Sequence, residues 1–285
     1  MKTYFLCLAF SCSLMACSKI EDLQEKKLDA SKKQSLYEVK YGPKTRHTLN
    51  VCLPANRSTN TPVIIFIHGG AWLFGDKNVH DVEMSQFANQ GVACATINYR
   101  FASSITQVRY AEMVQDVRLA LDFISSKSDD WQVATDRFGL VGQSAGAHLA
   151  LCTSYTANAD NKIKAVVSWA GPVNLLDADQ LKITGGPMVA KNLVGADLKT
   201  KEDSLLYEAA SPYYQIHAGI PPTLIIQGTN DIAVPYVSVT RFYSALQQEG
   251  EAHQMITYKE KGHLWSGETL DNARDKTIEW FKNHL

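Results

Sequence analysis

The sequence predicts an α/β fold, a mostly parallel sheet covered by helices on both faces, and three observations carry that prediction. Short apolar runs rich in β-branched residues recur along the chain, and from about residue 108 they alternate with amphipathic segments of helical period. The runs are apolar at nearly every position, as strands buried on both faces require. A glycine-flanked serine stands between one such run and a helix-forming segment, the place where catalytic groups collect in parallel sheets.

The elements follow in order. Strands read at Leu36–Tyr41, Thr48–Leu53, Val63–Ile67 and Val92–Asn98, which gives the sheet an antiparallel start. Val108–Ser125 is a helix, with Met113, Val117, Leu121 and Ile124 at helical spacing. Arg137–Val141 is a buried strand, and Ala147–Leu151 after it contains good helix formers. Ile163–Trp169 is the next strand. Thr223–Gly228, bounded by Pro221-Pro222, is another. Val234-Pro235 then opens a helix marked by Phe242 and Leu246, and Pro235 suits a first turn, where its missing N–H is harmless. Gln254–Tyr258 is the last strand and Ala273–Phe281 the last helix. Pro172 to Tyr214 has no such regularity. Gly185-Gly186-Pro187 breaks it and residues 198–203 are polar, so it is expected to be a cap-like insertion of one or two short helices and loops beside an open cleft.

A length of 285 residues suits one large domain, and an apolar content of 45% can build a sizeable core. A formal net charge of −1 gives no support for nucleic-acid binding. No internal repeat is visible. At the N-terminus Lys2 precedes an apolar stretch, Tyr4 to Met15, too short to span a bilayer and suited to a signal-peptide core. Leu14-Met15-Ala16-Cys17 resembles a bacterial lipobox, which implies removal of residues 1–16 and lipid attachment to Cys17. Ser18 rather than Asp follows. The resemblance therefore implies an exported lipoprotein of the outer membrane, anchored through Cys17, on its periplasmic or surface face. Residues 17–35 are expected to be a charged tether and 36–285 the catalytic domain. Cys52, Cys94 and Cys152 remain; buried thiols are the expectation, and one disulfide among them stays open. No spacing of ligands points to a metal.

Ser144 lies in Gly142-Gln143-Ser144-Ala145-Gly146, which fits G-x-S-x-G, a strained strand-to-helix turn that exposes a nucleophile. Such a serine needs a base, an orienting carboxylate and donors for the oxyanion. Asp231 follows a buried strand in Thr229-Asn230-Asp231 and is the carboxylate read here; Asp177, Asp179 and Asp203 follow no such strand. His263, in Lys261-Gly262-His263-Leu264-Trp265, follows the last strand and is the base. His148, one helical turn past Ser144, reads as structural, and His68 as a hydrogen-bonding support of its loop. Arg100 and Asp116 are read as a structural pair. Trp72 and Trp265 are candidates to line the substrate site, with Trp169 a weaker one; a core role competes at each.

The order Ser144, Asp231, His263, together with HGGAW at 68–72, GDK at 75–77, NYR at 98–100, SPY at 211–213, GTNDIAVP at 228–235 and GHLW at 262–265, resembles an α/β-hydrolase of the esterase and lipase group with a His-Gly-Gly-x-Trp motif. The resemblance runs from about Leu49 to the end. It implies oxyanion donors at the N–H groups of Gly70, Ala71 and Ala145, and a carboxylic-ester hydrolase that needs no cofactor. Ala71 stands where hormone-sensitive-lipase relatives have a third glycine, and Ser103-Ser104 where they have Pro-Glu. That moves the likeness towards small carbohydrate-ester esterases and kynurenine-formamidase-like enzymes. The expected reaction is removal of short acyl groups, acetyl foremost, from carbohydrate or small-molecule esters. A formamidase-like amidase and an inactive binding protein of the same fold are the alternatives.

Overall fold

The computed structural model describes residues 28–183, 185–250 and 252–285. The expected signal segment and Cys17 lie outside the described residues. The strands are β1 (Gln34–Lys40), β2 (Thr48–Leu53), β3 (Val63–Ile67), β4 (Ala93–Ile97), β5 (Phe138–Gln143), β6 (Ile163–Trp169), β7 (Thr223–Gly228) and β8 (His253–Tyr258). They form one sheet in the order β1-β2-β4-β3-β5-β6-β7-β8. The pairs β1–β2 and β2–β4 are antiparallel and every later pair is parallel, the antiparallel start that the early strands foretold.

The helices are α1 (Asp81–Asn89), α2 (Tyr110–Ser126), α3 (Ser128–Trp131), α4 (Ala145–Thr156), α5 (Ala178–Leu181), α6 (Gly186–Val194), α7 (Lys201–Ala209), α8 (Tyr236–Gln248) and α9 (Gly267–His284). Strand alternation divides the core between two faces. Val63, Ile65 and Ile67 of β3 join the cluster that contains Met113, Val117 and Leu121 of α2, Leu149 of α4 and Phe242 of α8. Ile64 and Phe66 join the opposite cluster, with Phe87 of α1 and Phe281 of α9. Helix α2 starts with a capping box in which the Glu112 carboxylate accepts from the Arg109 N–H at 2.8 Å. Helix α4 is buried along nearly its whole length because the sheet lies on one side of it and α2 on another.

Two boundaries differ from expectation. The fold begins before residue 36. Arg57 is buried, and its guanidinium donates to the carbonyls of Lys32 (2.7 Å) and Trp131 (2.7 Å) and to Gln34 Oε1 (2.7 Å). The Lys33 ammonium donates to Ser85 Oγ (2.8 Å) and Asn89 Oδ1 (2.7 Å) of α1. A buried guanidinium needs acceptors, and residues just before β1 supply them. Among the described residues the insertion holds three short helices, α5, α6 and α7, and it is tied down by ion pairs. Arg241 of α8 reaches Asp177 at 2.8 Å and Asp179 at 3.1 Å at the start of α5. Asp203 and Thr200 cap α7 reciprocally.

Cys52 and Cys94 face one another across β2 and β4, and all three described cysteines are buried free thiols. Behind the sheet's carboxyl edge, Asp116 is 1% exposed; it accepts from the Arg100 N–H (2.9 Å) and guanidinium and pairs with His47 Nε2 at 3.0 Å. Removing one member of such a group strands the others. Asp116→Ala is expected to lower the unfolding free energy by about 3 kcal/mol, measured by urea titration; a loss below about 0.5 kcal/mol would refute the structural role.

Candidate active site

Ser144 stands between β5 and α4 with φ 55° and ψ −121°, a conformation that costs a non-glycine residue about 1–3 kcal/mol. Close packing holds it there. A Cβ on Gly142 would lie 2.3 Å from the Gly146 backbone, and one on Gly146 would lie 2.0 Å from the Ile67 carbonyl oxygen. The first turn of α4 therefore presses backbone to backbone against the end of β3. The Ser144 N–H donates to the Trp169 carbonyl at the end of β6 (2.8 Å), so three strand ends fix the residue.

Asp231 and His263 arrive from the next two strands. The Ser144 hydroxyl lies 2.9 Å from His263 Nε2, and His263 Nδ1 lies 2.8 Å from Asp231 Oδ2. With Nδ1–H donating to the carboxylate, Nε2 is free to accept the serine proton. The Asp231 side chain is fully buried and hydrogen-bonded at both oxygens. Oδ1 accepts from the N–H groups of Ala233 and Val234 (2.8 Å each), and Oδ2 also accepts from Gln227 Nε2 (2.9 Å). Four donors fix its orientation and compensate its burial. The His263 side chain is 19% exposed.

The loop after β3 carries three successive positive φ angles, Gly70 at 118°, Ala71 at 50° and Trp72 at 62°. A network behind it sustains that strain. His68 Nδ1–H donates to the Gly69 carbonyl (2.6 Å), its Nε2 faces the Arg46 guanidinium at 3.2 Å, and its ring stacks on Tyr99 at 4.5 Å. Burial holds this imidazole well below its ordinary pKa, at about 4, so it stays neutral. Arg46 also donates to the Gly75 carbonyl (3.1 Å) and Asn98 Oδ1 (3.0 Å), while Asn98 Oδ1 accepts from the Lys77 N–H and its amide donates to Asp76 Oδ2 (2.9 Å). The GDK and NYR motifs thus brace the loop. Asn98 and Arg46 were missed as supports; the conspicuous NYR tripeptide was a signal for the first, and nothing in sequence marked the second.

A cleft of about 200 Å³ opens at Ser144. Ala71, Trp72 and Ala145 line it with the serine, and the residues of the insertion cover it. Ala145 is the first residue of α4, where a backbone N–H has no partner within its own helix. Gly70 is not among the lining residues; it is the pivot of the turn, its carbonyl accepting from Leu73 and Phe74 N–H at 2.9 and 3.1 Å. Nor is Trp265, whose indole donates to the Gly262 carbonyl (3.0 Å) and packs on Tyr258 and Trp169, supporting the His263 loop. Trp169 is a core residue, bonded to Thr277 Oγ1 at 2.9 Å. The cleft is mostly apolar and covered by α5 and α6, where the sequence pointed to an open, aromatic-lined one. Among the described residues, no cluster of His, Cys, Asp and Glu could hold a metal ion.

His148 lies behind the cleft. Its Nδ1 accepts from Trp72 Nε1–H (3.3 Å) and its Nε2–H donates to the Ala210 carbonyl (2.6 Å). The ring is completely buried and burial lowers its pKa to about 4. The side chain ties α4 to the strained turn and to the end of α7.

Sheet order, strand-end placement of the serine and the helices on both faces define an α/β-hydrolase fold. The profile of the BD-FAE family matches residues 49–246, and the chain belongs to that family. It is 28% identical over 85% of its length to a probable isoprenylcysteine alpha-carbonyl methylesterase of Oryza sativa subsp. japonica, covering 60% of that protein. It is 27% identical over 78% of its length to esterase LipQ of Mycobacterium tuberculosis, covering 55% of it. The chain thus spans little more than half the length of these curated relatives. Among solved structures, a truncated carbohydrate esterase from gut microbiota superposes with a TM-score of 0.73 at 20% identity, covering 90% of this chain and 99% of that one.

The His148 clamp can be tested through the serine's reactivity. Asn places an oxygen near Nδ1 and so keeps an acceptor for Trp72, whereas Gln reaches towards Ala210 and leaves the indole unpaired. His148→Asn is expected to react with a fluorophosphonate at close to the parent rate and His148→Gln at least roughly 10-fold more slowly. Equal rates for both variants would show that the bond to Trp72 does not position the turn.

Proposed function

We propose that this chain is a serine carboxylic-ester hydrolase that releases short acyl groups from carbohydrate or small-molecule esters. The observation that carries the reading is the unbroken chain from Ser144 Oγ to His263 (2.9 Å) to Asp231 (2.8 Å) at a strained strand-to-helix turn. Esterases and methylesterases among the sequence relatives support it.

In this reading His263 Nε2 takes the Ser144 proton as Oγ bonds to the ester carbonyl carbon. The carbonyl oxygen becomes an oxyanion and accepts from backbone N–H groups, those of Ala71 and Ala145 at the cleft and Gly70 beside them. Asp231 orients His263 and stabilises its charged form. The carbon–alkoxy bond then breaks, and the alkoxide leaves with the proton from His263. Water repeats the sequence against the acyl-enzyme: His263 takes its proton, the acid is released and Ser144 recovers its hydroxyl. Nothing in the cycle calls for a cofactor. We further propose an exported outer-membrane lipoprotein anchored through Cys17, a reading that rests on the lipobox-like Leu14-Met15-Ala16-Cys17.

Ser144→Ala is expected to lower kcat on p-nitrophenyl esters by at least about 10⁴-fold with unfolding unchanged. Esterase activity undiminished in that variant would overturn the assignment, and turnover of aryl formamides without any ester turnover would transfer it to the amidase class. Release of acetate or longer acids from acylated xylan tests the carbohydrate alcohol. Cys17→Ser is expected to abolish labelling by a radioactive fatty acid and to move the protein out of the membrane fraction; labelled, membrane-bound Cys17→Ser protein would refute the anchor.

A further inference from the structure

Resting on the ester-hydrolase reading, we propose that Arg109 is a positioning residue for the reaction. Its guanidinium fastens α6, one wall of the cleft, to the loop that holds the Gly70-Ala71-Trp72 turn. The oxyanion donors of that turn are thereby set relative to the insertion.

Arg109 ends the loop that follows β4 and stands immediately before α2. The Glu112 carboxylate holds its N–H at 2.8 Å, so the side chain departs from a fixed point. Towards the loop, Nη1 donates to the Ser103 carbonyl at 2.7 Å. Ser103 is bridged to Val108, its N–H donating to the Val108 carbonyl at 3.1 Å, so the guanidinium closes the neck of the loop. The next residue back, Ala102, donates its N–H to the Trp72 carbonyl at 2.9 Å. Trp72 is the last of the three positive-φ residues, and it lines the cleft with Ala71. The tie at Ser103 is thus one residue away from a direct hold on the strained turn.

Towards the insertion, the guanidinium meets the carboxyl end of α6. Nη1 also donates to the Asn192 carbonyl at 3.3 Å, one of the last carbonyls of that helix. Such carbonyls lack partners within their own helix, and a cation complements that end of the helix dipole. Gly195 ends α6 at φ 91°, and a Cβ there would lie 2.5 Å from Arg109 Nε. The close approach therefore depends on a glycine. Val189 and Ala190 of the same helix line the cleft.

Little else sets the loop's distance from α6. Residues 104–107 are exposed, Ile105 at 92%, so the tip of the loop has no apolar packing to hold it. A guanidinium carries its donors in a rigid fork, which fixes the separation of the groups it joins. Without it the loop and α6 part, and the turn loses a constraint on the side opposite His68. Oxyanion donors act when charge develops on the substrate, so the loss falls on the transition state.

The test is hydrolysis of p-nitrophenyl butanoate and fluorophosphonate labelling of Ser144, in the full chain and its variants. Arg109→Ala is expected to lower kcat at least about 10-fold while KM changes less than about threefold, with labelling slowed as well. Its thermal midpoint should stay within about 4 °C of the parent, so that the loss belongs to folded molecules. Gly195→Ala pushes the guanidinium off α6 and should lower kcat at least about threefold. Added to Arg109→Ala, the same substitution should change kcat less than about 1.5-fold, because the contact it disrupts is already gone. The strain of alanine at φ 91° is common to both backgrounds and cancels. Arg109→Ala with kcat within about twofold of the parent, a loss carried by KM, or losses that add in the double variant would overturn the positioning role. The hydrolase reading would survive each of these. A parent with neither ester turnover nor labelled Ser144 would overturn both.

Discussion

The arrangement around Ser144 depends on one close backbone approach, the first turn of α4 against the carboxyl end of β3. With 2.0 Å between a would-be Cβ on Gly146 and the Ile67 oxygen, only glycine permits it. The contact does two things at once. It forces the turn at Ser144 into a positive φ, which lifts the hydroxyl clear of the sheet. It also brings the N–H end of α4 beside the residues that follow β3, so that Ala145 and Ala71 line one cleft with the serine. A substitution at Gly146 would disturb Ser144 and the neighbouring Ala145 and Ala71 together.

Strain of this kind must be opposed elsewhere. The serine turn is opposed by strand pairing on both sides. The Gly70-Ala71-Trp72 turn has no strand beyond it, and its supports are polar: His68, Arg46 and Asn98 beneath, His148 behind. His68 directly follows β3, but the others lie just after β4, on α4 and in the segment before β2, so the loop's shape is determined by long-range contacts. The ion pairs from Arg241 to Asp177 and Asp179 do for α5 what the polar network does for the loop, holding a segment without a large core of its own against α8.

This division explains what could be read from the chain in advance. Strands apolar on both faces, the serine turn and the strand-following Asp231 and His263 are local patterns, and a local pattern survives in one dimension. The Arg100–Asp116 pair and the supporting role of His68 were legible for the same reason, since each lies in or next to a conspicuous motif. Arg46 stands in a loop with no periodicity, and only folding brings it to His68. Trp265 follows the histidine in sequence, yet its indole turns back to the Gly262 carbonyl and away from the cleft, because a side chain's direction depends on the turn that carries it. The three described helices of the insertion were under-read because Gly185-Gly186-Pro187, which looks like a break, is the start of α6, with Gly185 as its cap and Pro187 in its first turn, and because these short helices draw their stability from packing on the body of the protein.

Burial and partners also separate the histidines by chemistry. His148 accepts an indole N–H on one nitrogen and gives its own proton to a carbonyl from the other, which leaves no acceptor for a second proton. His68 gives its proton to the Gly69 carbonyl and turns its other nitrogen to the Arg46 guanidinium, where an added positive charge would meet a cation. Both are held neutral, down to about 4, and both act as fixed hydrogen-bond partners. His263 differs in each respect. One nitrogen faces a carboxylate, whose charge compensates an imidazolium, and the other faces a hydroxyl that can surrender a proton. Of these three rings, then, only His263 holds a carboxylate on one nitrogen and a hydroxyl on the other, and that hydroxyl is Ser144's.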